Sequence, residues 1–174
     1  KATMNDTQAL DGFLQSFKTL EPVWTKGGQA WLQPVRRAAI GRLEELGFPT
    51  THDEDWRFTN LASLVKTAFR PAEEVAPGVD ARSLEPFTFA DCDCPRLVFV
   101  NGRFALGLST LSPLPAGVRV GSLAQILAGD RGALEPHLAR HEDFQHEAFS
   151  ALNTAFLTDG AFVSVPRAVL VEKP

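Results

Sequence analysis

The sequence has little that would mark a specialised environment. Its 174 residues include two cysteines, too few for the disulfide framework of a small secreted scaffold. No apolar run approaches the roughly 20 residues of a membrane-spanning helix. The opening Lys1-Ala2-Thr3-Met4-Asn5-Asp6 is polar and has no signal-peptide core. A basic excess is also missing: 17 Lys and Arg stand against 21 Asp and Glu, for a net charge of −4. A protein that tracks nucleic-acid phosphates would normally carry the opposite balance. There is no Gly-x-x-x-x-Gly-Lys-[Ser/Thr] loop, no Gly-x-Gly-x-x-Gly turn after a strand and no Gly-x-Ser-x-Gly elbow. Internal repeats and low-complexity stretches are absent. These absences lead to the expectation of a cytoplasmic protein with no nucleic-acid or membrane partner. Lys1-Ala2-Thr3 reads as a non-native leader, with Met4 as the natural start.

What is present suffices for a packed core: 44% of residues are hydrophobic and 22% charged. The length suits one domain, or one domain and part of another. Leu10, Phe13, Leu14 and Phe17 fall on one helix face, with Asn5 and Gln8 as a capping-box-like start and Pro22 as a stop. Thr25-Lys26-Gly27-Gly28 reads as a loop. A second helix places Leu32, Val35, Ala39 and Leu46 on a shared face; Pro34 suits its first turn, and Gly47 and Pro49 end it. A short third helix is predicted from Asn60, with Leu61, Leu64 and Val65 inward.

Residues 71–86, rich in Pro, Ala, Glu and Gly, read as a loop, and Phe87-Thr88-Phe89 as a short strand. Asn101-Gly102 joins the apolar stretches 96–100 and 103–106, which predicts a hairpin with a type I′ turn. Val118-Arg119-Val120 is a further short strand. Ser122 to Gln125 has the capping-box pattern and opens a helix ending near Gly129. Another helix is expected from about Asp143, with Phe144, Ala148, Leu152, Ala155 and Phe156 inward and Asp159-Gly160 at its end. Residues 161–165 and 168–172 read as two strands separated by Pro166.

Candidate chemistry is sparse. Cys92-Asp93-Cys94 could place two thiolates on one zinc or iron ion, but a tetrahedral site needs two more ligands. His137 and His141 would share a helix face if their stretch were helical. A metal-binding domain built on Cys92 and Cys94 is thus the alternative reading, against two free thiols and surface histidines. His141 and His146 stand five apart, off the i, i+4 spacing of a His-Glu-x-x-His site. Asp53-Glu54-Asp55 could serve as an acid cluster, yet adjacent carboxylates more often begin a helix or solvate a loop. Trp24, Trp31 and Trp56 read as core anchors. No nucleophile–base pair is visible, and no catalytic, cofactor-binding or metal residue is assigned.

Three stretches carry a resemblance. Asp53-Glu54-Asp55-Trp56-Arg57-Phe58-Thr59-Asn60-Leu61, then Leu97-Val98-Phe99-Val100-Asn101-Gly102-Arg103-Phe104, then Ala151 to Pro166 (A-L-N-T-A-F-L-T-D-G-A-F-V-S-V-P) resemble, in the same order, motifs of the SufB/SufD family of iron–sulfur cluster assembly, and of its SufD branch in particular. One departure is Ala168, where the family usually has glycine. The resemblance implies an α+β fold: an N-terminal helical domain with a β-hairpin and short strands over 1–160, leading at 161–174 into the opening strands of a right-handed parallel β-helix. It implies a non-enzymatic part of a bacterial, cytoplasmic scaffold subunit that pairs with SufB and works with the ATPase SufC. Family members are more than twice this long, and their cluster-related histidine and SufC-binding region lie beyond these residues, so no functional residue and no cofactor is carried over. Val163, Val165, Val169 and Val171 alternate along the closing strands, and self-association through residues 161–171 is expected.

Overall fold

The computed structural model describes residues 4–72, 78–88, 94–111, 113–141 and 144–172. The expectations placed on Lys1-Ala2-Thr3, Phe89, Cys92, Asp93 and Asp143 lie outside them. The chain divides into two units, residues 1–71 with 130–157 and residues 72–129 with 158–174.

The first unit is helical. Helix α1 runs from Met4 to Trp24 and contains Pro22. Pro22 therefore does not stop it, and Asn5 lies inside it rather than capping it. A proline two residues before the end removes one N–H bond, and the helix passes over that loss into a single π turn, Thr25–Gln29, where a loop was expected. A 3₁₀ turn, Ala30–Leu32, follows, and then helix α2, Gln33–Leu46, with Pro34 in its first turn. Gly47 closes α2 at φ +65°, its N–H donating to Leu43 O at 2.9 Å, as the sequence predicted. Helix α3, Ala62–Val65, begins where Asn60 Oδ1 accepts the Ala62 N–H at 2.8 Å.

Helix α6, Arg131–Leu134, and helix α7, Ala148–Ala155, complete the unit. Helix α7 starts later than expected, because Glu147 is still extended (φ −119°, ψ 115°). Ala39 of α2 and Ala151 and Ala155 of α7 are fully buried. Their lack of bulk lets the two helices pack closely. Phe17, Trp24, Leu43, Phe48 and Val65 close the core around them. Each large apolar side chain buried there contributes about 1.5–3 kcal/mol.

The second unit carries the strands. Strands β1, Phe99–Val100, and β2, Arg103–Phe104, pair antiparallel with Phe99 opposite Phe104. Asn101 (φ +50°) and Gly102 (φ +75°) form the connecting turn, the type I′ geometry that Asn-Gly predicts. Val98, Val100 and Ala105 form a small core with Val79, Leu84 and Leu108.

Residues 71–86, expected to be a loop, hold helix α4, Ala81–Leu84. Asp80 and Ser83 form its reciprocal capping box. Phe87 is not in a strand but ends a 3₁₀ turn, Glu85–Phe87, and is exposed.

Strand β3, Arg119–Ser122, leads directly into helix α5, Leu123–Gly129. Strand β4, Ala161–Ser164, pairs antiparallel with β3 in a two-stranded sheet. The expected strand at 161 is thus present, but its partner is antiparallel, and no parallel pairing occurs among the described residues. The second expected strand, 168–172, is absent. Its place is taken by a turn in which Val169 N–H donates to Pro166 O and Ala168 sits at φ +64°. That left-handed conformation favours glycine, the residue the family resemblance leads one to expect at this position.

Candidate functional site

The densest polar arrangement in the second unit is built on Asp159, just before β4. Its Oδ1 accepts from Ser122 Oγ (2.7 Å), Ala124 N (3.0 Å) and Gly160 N (2.8 Å), and its Oδ2 accepts from Phe104 N (2.9 Å). One carboxylate therefore ties hairpin strand β2, the β3–α5 junction and the start of β4. Ser122 also caps α5, receiving the Gln125 N–H at 3.4 Å, which is one half of the capping box read from the sequence. Burial opposes ionisation of Asp159. The Ala124 N–H, the Ser122 hydroxyl and the Phe104 and Gly160 N–H groups outweigh it and hold the carboxyl below its ordinary value. Four donors of the chain itself converge on the carboxylate, three on Oδ1 and one on Oδ2, so it acts as a fastening.

The first unit buries a cation. Arg36 of α2 is 1% exposed, on the face where Val35 was expected; Val35 is only half-buried. The Arg36 Nη2 donates to Gln29 Oε1 at 2.6 Å and to Leu157 O at 2.5 Å, and the guanidinium lies over the Trp24 ring at 4.5 Å. Burial pushes its pKa down to about 10, and it stays cationic at neutral pH. Its Nε and Nη1, both amide atoms of Gln33 and Trp31 Nε1 are buried without hydrogen-bond partners among the described residues. Arg36 thereby anchors the π turn and the last carbonyl of the first unit.

The residues singled out for chemistry are mostly dispersed. Asp53, Glu54 and Asp55 line a shallow cleft of about 330 Å³ with Trp56, His146 and Glu147. Asp53 is a turn-former: the Thr50 N–H (2.7 Å) and hydroxyl (3.1 Å) hold its carboxyl below the usual range. Glu54 pairs with Arg57 at 3.4 Å. Trp24 is a core anchor, packed on Phe17 with ring centres 5.7 Å apart; Trp56 is only half-buried and packs on Phe149 at 5.2 Å without joining the core. His137 and His141 do not share a helix face, because the helical turn ends at Leu134 and Ala139 adopts φ +55°. They belong to the first unit and Cys94 to the second. Cys94 is disulfide-bonded, which removes it as a free thiolate, and Cys92 lies outside the described residues. Among the described residues, no three His, Cys, Asp or Glu side chains gather to hold a metal ion. Also among them, no helix is long and apolar enough to cross a membrane.

Sequence reasoning missed both polar centres. Asp159 was visible as part of a quoted motif and as a helix-ending Asp-Gly, but its three distant donors were not. Arg36 left no signal, since a charged residue on an amphipathic helix reads as solvent-facing.

Residues 7–174 match the model of the SufBD protein N-terminal region. The chain is 34% identical over 139 residues to a protein of Synechocystis sp. described as an iron–sulfur cluster assembly SufBD family protein. The match covers 80% of this chain and 30% of that protein. No solved structure matches. The motif residues Ala151, Ala155, Asp159 and Gly160 are those that close the helical core and fasten the second unit, and with a family match along nearly its whole length this chain belongs to the SufBD family of iron–sulfur cluster assembly, through that family's N-terminal region.

Proposed function

We propose that this chain is the N-terminal region of a SufD-like subunit of the SufBCD scaffold, on which iron–sulfur clusters are assembled in the bacterial cytoplasm. In this reading the region is structural and non-catalytic and carries no cluster of its own. The subunit pairs with SufB, engages SufC through parts outside these residues, and continues beyond β4 into a right-handed parallel β-helix. The observation that carries the reading is the use made of the long motif 151–166. Its alanines pack α7 on α2, and its aspartate accepts from four internal donors, so these motif residues serve the fold and leave chemistry to other parts of the assembly.

Genetic complementation separates SufD from SufB. The full-length gene carrying this sequence should restore cluster-enzyme activity to a bacterial strain lacking SufD and fail in one lacking SufB. Rescue of the SufB-deficient strain alone would overturn the assignment.

A further inference from the structure

The first unit contains an unfilled groove whose charge differs from that of the chain. Two cavities, about 340 and 490 Å³, adjoin at Phe13 and Phe69. They lie along α1 from Gln8 to Ser16, a run of about 12 Å at 1.5 Å per residue. The segment 64–71 forms the opposite wall, and Phe149 and Leu152 of α7, with Phe156 just after its end, close the larger cavity. Phe69 stacks on Phe13 at 6.2 Å and remains 51% exposed. A Cβ on Gly12 would meet nothing within 4 Å, so the α1 wall is open there.

The chain has 21 acidic residues and a net charge of −4. No acidic residue lines either cavity among the described residues. Two cations do: Lys66 in the smaller cavity and Arg70 in the larger. Both are exposed, and among the described residues neither side chain takes part in an ion pair or a hydrogen bond. An aromatic-walled groove with, in each compartment, one cation unpaired among the described residues suits an apolar ligand bearing carboxylates at two points along its length. A simple fatty carboxylate has one and would engage a single cation.

We propose that this groove receives a short acidic amphipathic segment of a partner protein. Its apolar side chains would pack against Phe13, Phe69, Phe149 and Leu152, and its Asp or Glu side chains would face Lys66 and Arg70. Nothing in this proposal depends on the SufD assignment.

The probe is a fluorescein-labelled 14-residue synthetic peptide with leucine at i, i+3, i+4, i+7 and i+8 and glutamate on its flanks. Its partner probe has lysine for every glutamate. Binding to the 174-residue chain is read by anisotropy at physiological salt and mapped by amide chemical shifts. The glutamate peptide should bind about tenfold more tightly than the lysine peptide, about 1.4 kcal/mol, with shifts centred on Phe13 and Phe69. Gly12→Leu, which favours the helix and fills the groove, should weaken binding about tenfold while leaving the fold intact by circular dichroism. The Lys66→Glu/Arg70→Glu double variant should reverse the preference. Equal affinity for both peptides, no binding, shifts mapping elsewhere, or indifference to Gly12→Leu would overturn the proposal. So would dodecanoate binding at these residues more tightly than the glutamate peptide, which would make the ligand a small amphiphile.

Discussion

Replacing Asp159 with alanine removes four hydrogen bonds at once. It leaves the Ser122 hydroxyl, in a residue 2% exposed, and the N–H groups of Phe104, Ala124 and Gly160 without their acceptor. A hydrogen bond to a charged group contributes about 1.5–3 kcal/mol, and bonds sharing one acceptor do not add. The expected cost is about 3 kcal/mol, or roughly a hundredfold in the opening equilibrium of the second unit. Tryptophan fluorescence would not report it, because Trp24, Trp31 and Trp56 all lie in the first unit. Amide hydrogen exchange reads it directly at Phe104, Ala124 and Gly160. Asp159→Asn keeps the shape but not the charge, and should recover less than half of the lost protection.

The pH dependence has a definite sign. Burial alone would raise the Asp159 pKa, but the four donors outweigh it and lower it. The unfolded chain therefore holds the proton more tightly. The stabilisation is complete above the unfolded carboxyl value of about 3.9 and is lost as pH falls through the lower folded value. Protection at these amides, corrected for intrinsic exchange, should drop below about pH 4 in the parent and show no such step in Asp159→Asn. Parent-like protection in Asp159→Ala, within threefold, would refute the fastening role.

Other outcomes follow from single positions. Gly102→Val should lower stability by about 1–3 kcal/mol, because φ +75° is strained for a branched residue even though a Cβ there meets nothing within 4 Å; an unchanged melt would contradict the turn. Ala168→Gly should raise the stability of the second unit by up to about 1 kcal/mol through relief of φ +64°, read by urea unfolding followed at β4 amides. Arg36→Ala should cost about 3 kcal/mol or more, by cavity formation and by orphaning Leu157 O. Arg36→Met, which fills the space and removes a charge with two unpartnered nitrogens, should cost markedly less in thermal melts. Self-association through residues 161–171 is expected at the exposed Val163, Val165 and Leu170; Val163→Lys, which leaves the β3–β4 pairing in place, should shift sedimentation toward monomer at high concentration. A monomeric parent would remove that expectation.

What the sequence disclosed was local. Asn101-Gly102 dictates its own turn, Gly47 its own cap and Ser122 its own helix start, each within four residues. The β3–β4 pairing joins segments about 40 residues apart, and alternation of valines cannot say whether the partner runs parallel or antiparallel. Pro22 misled because a proline near a helix end costs one bond, which a π turn and the packing of Trp24 can absorb. Arg36 misled because its burial depends on Trp24, Gln29 and Leu157 lying around it. The Asp80–Ser83 capping box was legible in principle but lay within a stretch whose prolines and glycine suggested a loop. Of the polar centres, Asp159 stood in a recognisable motif, but that it fastens β2, α5 and β4 is a property of tertiary contacts alone.

The central claim is that this chain forms part of a SufD-like subunit paired with SufB. Native mass spectrometry of the full-length protein produced together with SufB and SufC tests it most directly. The expected species contains one copy of this subunit, one SufB and two SufC. A complex holding two copies of this subunit with SufC, and no SufB, would contradict the claim.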